Sequence, residues 1–352
     1  MKAKQKDKSS KKKTFIGAFL RWGVAVALIY WVIQSGKLNL ADLAWFRREP
    51  LKATFLIGAE FLLAVLAITR WWVLLQALHF KLQWRTALRL GMLGQFFSTV
   101  LPGTISGDVI KGVFVARRYP QRKARAVVTV LVDRFMGLFA VLILGGLGYA
   151  LGASYLEPLV GNKIELVKSF GVTLAGIGGF LLLMIAAFPW YAGKLPKALP
   201  KWTNRIPKAT FLHQFYAAVL DYREKPFVIW LSILLSMGIH VVNIGMLWMV
   251  ADVIYGPGPW GTLHVETFVL AFVLGICAMQ IPVAPMGLGL GQMAFSGFYL
   301  AVGAPSASFG SALITSLQLA QIVVNLTGCV FFATYRHQVE ESLHSSPAET
   351  LG

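Results

Sequence analysis

LPGTISGDVIKG (Leu101 to Gly112) and IPVAPMGLGLGQ (Ile281 to Gln292) decide how this chain is read. Each follows an apolar run and leads toward another, and in each a proline precedes a glycine by five positions: Pro102 to Gly107, and Pro282 to Gly287. Proline and glycine interrupt helices, and inside a bilayer unwound backbone survives only where protein or a water-filled cavity satisfies its polar groups. A matched pair of such interruptions in two halves of one chain is the sequence sign of a midplane binding site in a transporter-like fold.

The surroundings agree. Of 352 residues, 57% are hydrophobic and 14% charged, against about 25% charged in soluble domains. Spanning helices need roughly 20 mostly apolar residues. Such runs occur near Phe15 to Ile33, Ala53 to Leu75, Ala126 to Leu151, Val167 to Phe188, Phe227 to Val250, Val265 to Ile281 and Ser306 to Tyr335. Shorter pieces at Ala87 to Leu101, Val109 to Ala116 and Gln292 to Val302 flank the breaks as half-helices or short spans. The expectation is an all-α integral membrane protein of about eight transmembrane helices, with two broken, re-entrant or half-helical segments and pseudo-repeat halves. Residues 1–13 read as a basic cytoplasmic tail, 14–337 as one membrane domain and 338–352 as a flexible tail. The halves are 14–190 and 226–337, joined by a basic loop over 190–226. Within that loop a short amphipathic helix is expected from Phe211 to Arg223.

A net charge of +18 would suggest nucleic acid in a soluble protein. Here the basic residues sort by loop: seven lysines in the first 13 residues, six basic residues from Lys111 to Arg125 and seven from Lys194 to Lys225. None falls between Ala251 and His264. This is the positive-inside pattern of a multi-pass protein with its N-terminus in the cytoplasm, and no nucleic-acid partner is expected. The first apolar run carries Trp22, Tyr30 and Trp31 without a small-residue cleavage pattern, so a retained helix is expected. Cys277 and Cys329 lie in apolar runs and read as small core residues.

Ionisable groups within spans are functional candidates by default. Arg70 reads either as a site residue or as an interfacial arginine snorkelling beside Trp71 and Trp72. Glu60, ten residues earlier, is too deep to snorkel and must be paired, protonated or facing water. Asp108 and Lys111, three apart at the mouth of the first break, form either a site or a local ion pair. Asp133 and Arg134 are sequence neighbours, point in different directions on a helix, and are not expected to be each other's main partner. Gln318, Gln321 and Asn325 share one helical face, reading as interhelical hydrogen-bonding groups or as the polar wall of a pathway; His240 and Asn243 form a weaker pair. In GLGLGQ (Gly287 to Gln292) there is no βαβ context for a dinucleotide loop. Its value lies in the exposed N–H groups of a half-helix start, which suit an anion. Only six aspartates occur, none in D-x-D, and the six histidines are scattered without H-x-x-H spacing. No metal, no cofactor and no enzyme activity are expected.

Arg70–Trp71, QFFSTVLPGTISGDVIKG (Gln95 to Gly112), the basic loop and VVTVLVDRFMGL (Val127 to Leu138) together resemble the flippase-like membrane region of lysylphosphatidylglycerol synthases. PVAPMGLGLGQMAF (Pro282 to Phe295) is similar to that family's second proline-glycine motif, and the resemblance runs over about residues 15 to 335. It departs at Thr104 to Ser106, where more glycine is usual, and at Gln292, where a charged residue is common. The resemblance implies a bundle of about eight helices whose motif regions line a lipid site. It marks Arg70, Pro102, Gly103, Gly107, Asp108, Lys111, Asp133, Arg134, Pro282, Gly287 and Gly289. No synthase domain follows Tyr335, so aminoacyl-tRNA-dependent lipid synthesis is expected to be absent. The expected function is that of an inner-membrane flippase or transporter for an anionic or zwitterionic phospholipid. Its substrate-binding set is Arg70, Asp108, Lys111, Asp133, Arg134, Gln292, Gln318 and Gln321; Pro102, Gly103, Gly107, Pro282, Pro285, Gly287, Gly289 and Gly291 form the structural motif. No ATP site is visible, so Glu60, Asp108 and Asp133 are the acids available to carry a coupled proton. The alternatives are a membrane enzyme acting on a lipid or polyprenyl phosphate, and a non-catalytic partner subunit of an envelope lipid synthase. The expected partners are membrane lipids, with a homo-oligomer or a lipid-synthesis protein as further candidates.

Overall fold

The computed structural model describes residues 30, 34, 40–100, 106–156, 164–194, 209–256, 264–281, 284–304, 306 and 308–331. The expected first span, both tails and much of the basic linker lie outside these, as do Pro102, Gly103 and Pro282. Among the described residues the chain is helical without strands. The principal helices are α1 (Pro50–Ala77), α2 (Trp84–Val100), α3 (Ser106–Arg118), α4 (Lys123–Leu156), α5 (Ile164–Ala186), α6 (Ala209–Arg223), α7 (Pro226–Tyr255), α8 (Val265–Met279), α9 (Leu290–Ala301) and α10 (Phe309–Leu326). Five of them, α1, α4, α5, α7 and α10, lie in stretches long and apolar enough to cross a membrane. The chain is a multi-pass membrane protein.

Local sequence sets the ends. Pro50 and Pro226 open α1 and α7 at the first helical turn, where a missing N–H costs nothing. Gly256 closes α7 with a φ of 71°, positive backbone that glycine enters without steric cost. At 17, 13, 15 and 12 residues, α2, α3, α8 and α9 are each about 18–25 Å long, short of the roughly 30 Å hydrocarbon layer. They pack as pairs, α2 on α3 and α8 on α9, around the two breaks. The expected span Val265 to Ile281 is therefore a half-helix, because Gln280 and the break end it early. The order of a long helix, a short pair and a long helix occurs twice: α1, α2–α3, α4, and then α7, α8–α9, α10. One core serves both, with Leu56, Val141, Leu247, Phe268, Phe295, Tyr299 and Phe309 in a single buried cluster.

Small residues let helices approach closely, as in other membrane bundles. A methyl group on Gly146 would sit 2.9 Å from the Leu174 carbonyl, and one on Gly178 2.8 Å from that of Leu142, which locks α4 to α5. The expected helix at Phe211 to Arg223 is α6. It packs on α4, with Ala218 and Tyr222 buried. Cys277 is half-buried, but Cys329 is exposed. The latter corrects its reading as a core residue: in a membrane helix an apolar neighbourhood in sequence also describes a lipid-facing side.

Basic residues from the connections after α3 and α6 meet at the C-terminal end of α1, whereas Arg47 and Arg48 precede its start. Arg125 pairs with Asp221 of α6 at 3.0 Å, Arg122 Nη1 donates to the His79 carbonyl at 2.9 Å, and Lys225 Nζ donates to the Ala77 carbonyl at 2.8 Å. At the other end Asp42 accepts from Ser308 Oγ at 2.7 Å and from Tyr255 at 3.2 Å.

Candidate functional site

The four charged candidates around the first break, together with Arg70, form one network. Arg70 Nε on α1 donates to Asp133 Oδ1 on α4 at 2.9 Å. Lys111 on α3 reaches Asp133 Oδ2 at 3.2 Å and Asp108 Oδ1 at 2.7 Å. Arg134 Nε donates to Asp108 Oδ2, and its Nη1 donates at 3.2 Å to Gln280 Oε1 at the end of α8. Arg70 Nη1 also donates to Ser236 on α7, and the Lys111 ammonium sits 5.0 Å from the centre of the Trp71 ring, within cation–π range. Asp133 and Arg134 thus take different partners, as neighbours on a helix must. Both bind the first broken segment, and Arg134 also ties it to the second.

This decides Arg70. It is 9% exposed and Trp71 1%, so the pair is not an interfacial belt; the guanidinium turns inward to a carboxylate. Three cations face two carboxylates, a formal +1 in a region where a bare charge is costly. Exposure is uneven: the Asp133 side chain is 8% exposed and that of Arg134 30%. The Arg134 side chain is the most exposed member of the network.

These side chains line a cavity of about 310 Å³. Behind it lies one of about 220 Å³ carrying Glu60, Asn243, Gln318, Gln321 and Asn325. A third, of about 210 Å³, lies between Ser98 of α2 and Met279, Gln280 and Met286 of the second break. All three share Gln95 and Ile276, so they form a set of adjoining cavities, polar groups set in a largely apolar lining, between the two broken segments. Gln95, Ser98, His240 and Gln280 complete their walls. Sequence reasoning left Gln95, Ser98 and Gln280 out of the site, although Gln95 and Gln280 sit in otherwise apolar runs just before each break, which was the available signal.

Two of the three aligned amides bridge helices as well as facing this space. Asn325 Nδ2 donates to Thr99 Oγ1 on α2 at 2.9 Å, and Gln318 Oε1 accepts from Gln292 Nε2 at 2.6 Å. Gln292 is elsewhere. It is wholly buried, its Oε1 accepts the Gly289 N–H at 2.8 Å and its Nε2 also reaches Thr315 at 3.1 Å. It is absent from the walls of the three cavities and caps the start of α9, so one N–H that seemed available to an anion is already used. Gly289 has a φ of 85° and Gly287 of 67°, the left-handed region that only glycine enters readily; Pro285 begins the tight turn between α8 and α9, and Gly291 lies against Met279. Replacing Gln292 by leucine strands the Gly289 N–H and the Gln318 carbonyl oxygen. Each buried orphan costs about 1–3 kcal/mol, so a clear fall in detergent melting temperature is expected. An unchanged melting temperature would dismiss the cap.

No group of three or more potential metal-ligating acids, histidines or cysteines occurs among the described residues. Comparison with known proteins gives no match among curated proteins and none among solved structures. Residues 18–328 match the model of the lysylphosphatidylglycerol synthase TM region, which covers the charge network, both breaks and all three cavities; the chain belongs to that family, whose function is tied to membrane lipids.

Proposed function

We propose that the protein is a flippase or transporter of the cytoplasmic (inner) membrane that moves a phospholipid between leaflets, and that it is not an enzyme. The head group enters the cavities between the two broken segments while the acyl chains stay in the bilayer. Its phosphate replaces part of Asp108 as the partner of Arg134 and Lys111, and the amide wall of Gln95, Gln318 and Gln321 accommodates the rest. Movement of one half against the other then opens the opposite side, as in transporters built from repeats. The basic residues that meet at the C-terminal end of α1 support a cytoplasmic placement of that end, since basic loops stay inside; the seven lysines among the first 13 residues place the N-terminus on the same side in this reading.

The observation that carries this reading is Arg134, a partly exposed cation that touches both breaks and borders a cavity large enough for a head group. The test is lipid mass spectrometry on the purified protein beside Arg134→Ala. A lipid class enriched in the wild type and lost in the variant, with both proteins equally monodisperse, is expected. Equal, nonspecific lipid in both would remove Arg134 from the site. Conversion of the bound lipid to a new covalent product would replace the transporter reading with the enzymatic one.

A further inference from the structure

Glu60 stands apart from the two acids of the charge network. Asp108 and Asp133 each accept from two cations. Glu60 is 7% exposed, lines the second cavity, and has neither an ion pair nor a hydrogen bond among the described residues. It lies ten residues from the start of α1 and seventeen from its end, about 15 Å along the helix from Arg70. From α7 it faces His240 and Asn243, from α2 Gln95, and from α10 Gln318, Gln321 and Asn325; α8 presents only apolar side chains there. Glu60 is the one formal charge on this wall and His240 the one other titratable group. The five charges of the network line the adjoining cavity.

Two more groups are left unsatisfied beside it. Gln95 Oε1 and His240 Nδ1 are buried without a hydrogen-bond partner among the described residues. His240 Nε2 lies 3.1 Å from the Gly137 carbonyl; a carbonyl only accepts, so Nε2 carries the hydrogen and Nδ1 presents a lone pair. The wall therefore offers a carboxylate, an amide oxygen and an imidazole lone pair with no cation to satisfy them. A buried unpaired carboxylate is unstable without one, and lone intramembrane acids mark ion and proton pathways.

We propose that the cavity around Glu60 is the site of a monovalent coupling cation, a proton or a sodium ion, bound by the Glu60 carboxylate when the space opens to one side and released to the other. This rests on the transporter reading and supplies the energy source that it lacks. The exchange is balanced: the carboxylate takes one cation and later gives up the same one, while either His240 Nδ1 or Gln95 Oε1 accepts the single hydrogen bond of the protonated acid, or both bind the sodium ion directly.

Infrared difference spectroscopy of the purified protein in nanodiscs tests the site without any lipid movement. The expected wild-type signal is a carboxylic-acid C=O band that disappears at alkaline pH and is absent in Glu60→Gln. Loss of the band on adding sodium at fixed pH, but not on adding N-methylglucamine, identifies sodium as a competing occupant; loss with pH alone identifies the proton. Glu60→Asp should restore a titrating band. A band indifferent to both pH and sodium, or one that persists in Glu60→Gln, overturns the site. Coupling is then read in proteoliposomes of phosphatidylethanolamine and phosphatidylglycerol containing a fluorescent phosphatidylglycerol. An imposed pH or sodium gradient should speed its movement by the wild type and have no effect with Glu60→Gln. Lipid movement by the wild type that ignores both gradients overturns the coupling and leaves the flippase reading standing. No movement by the wild type, with the infrared band present, overturns the flippase reading and the coupling together while the ion site stands.

Discussion

Gly107→Val is expected to prevent the α2–α3 pair from assembling. The two half-helices α2 and α3 meet backbone to backbone at Gly94 and Gly107. A methyl on Gly94 would lie 2.9 Å from the Gly107 carbonyl. A methyl on Gly107 would overlap both the Gly94 carbonyl and the Ser98 hydroxyl. Overfilling a packed interior typically costs about 1–3 kcal/mol when side chains can yield. Here the nearest obstacle is the Gly94 main chain, which cannot yield as a side chain can, so the helices must separate. Gly94 and Ser98 line the first cavity, and Asp108 follows Gly107 directly, so separation also pulls the charge network apart. Size-exclusion profiles of detergent-solubilised protein should show aggregation or loss of Gly107→Val. Gly58→Val should remain monodisperse, because nothing lies within 4 Å of a Cβ there. A monodisperse Gly107→Val with wild-type melting would show that the two half-helices do not meet at this glycine.

The same glycine shows what was legible in the sequence. Proline and glycine spacing located both breaks, because those residues report backbone geometry directly. The order of apolar runs located the long helices, since burial in lipid demands a continuous stretch. The separation of Asp133 from Arg134 was also legible, because 100° per residue is a property of any helix. Partners were not. Arg70 meets Asp133 across 63 residues and Arg134 meets Gln280 across 146, and no local pattern encodes such distances. Arg70 beside two tryptophans has the composition of an interfacial belt, so only tertiary packing separates that reading from a buried ion pair. Gln292 misled for a related reason: one buried glutamine is equally suited to a ligand and to a helix start, and the fold used it for the start.

Asp133→Asn should be among the most destabilising conservative changes within the network, and it separates the network's structural half from its ligand-facing half. Asp133 is 6% exposed and accepts from both Arg70 and Lys111. The amide fills the same space but removes the charge, leaving three cations beside Asp108 alone, a local excess rising from one to two. Removing one partner of a buried ion pair costs about 3–5 kcal/mol, whereas replacing both by apolar groups is often neutral or better. The double variant Arg70→Met/Asp133→Leu should therefore melt closer to the wild type than Asp133→Leu or Arg70→Met alone, since Lys111 keeps Asp108. Additive losses in that cycle would mean that the pair contributes nothing jointly. Arg134→Ala should behave differently. Its side chain is the most exposed of the five, so truncation gives up an interaction partly screened by its surroundings, and the melting temperature should stay near that of the wild type while lipid binding is lost. If Asp133→Asn folded normally and Arg134→Ala did not, the assignment of structure to one and ligand contact to the other would be reversed. The head group would then have to approach from the α1 side, between Arg70 and Ser236.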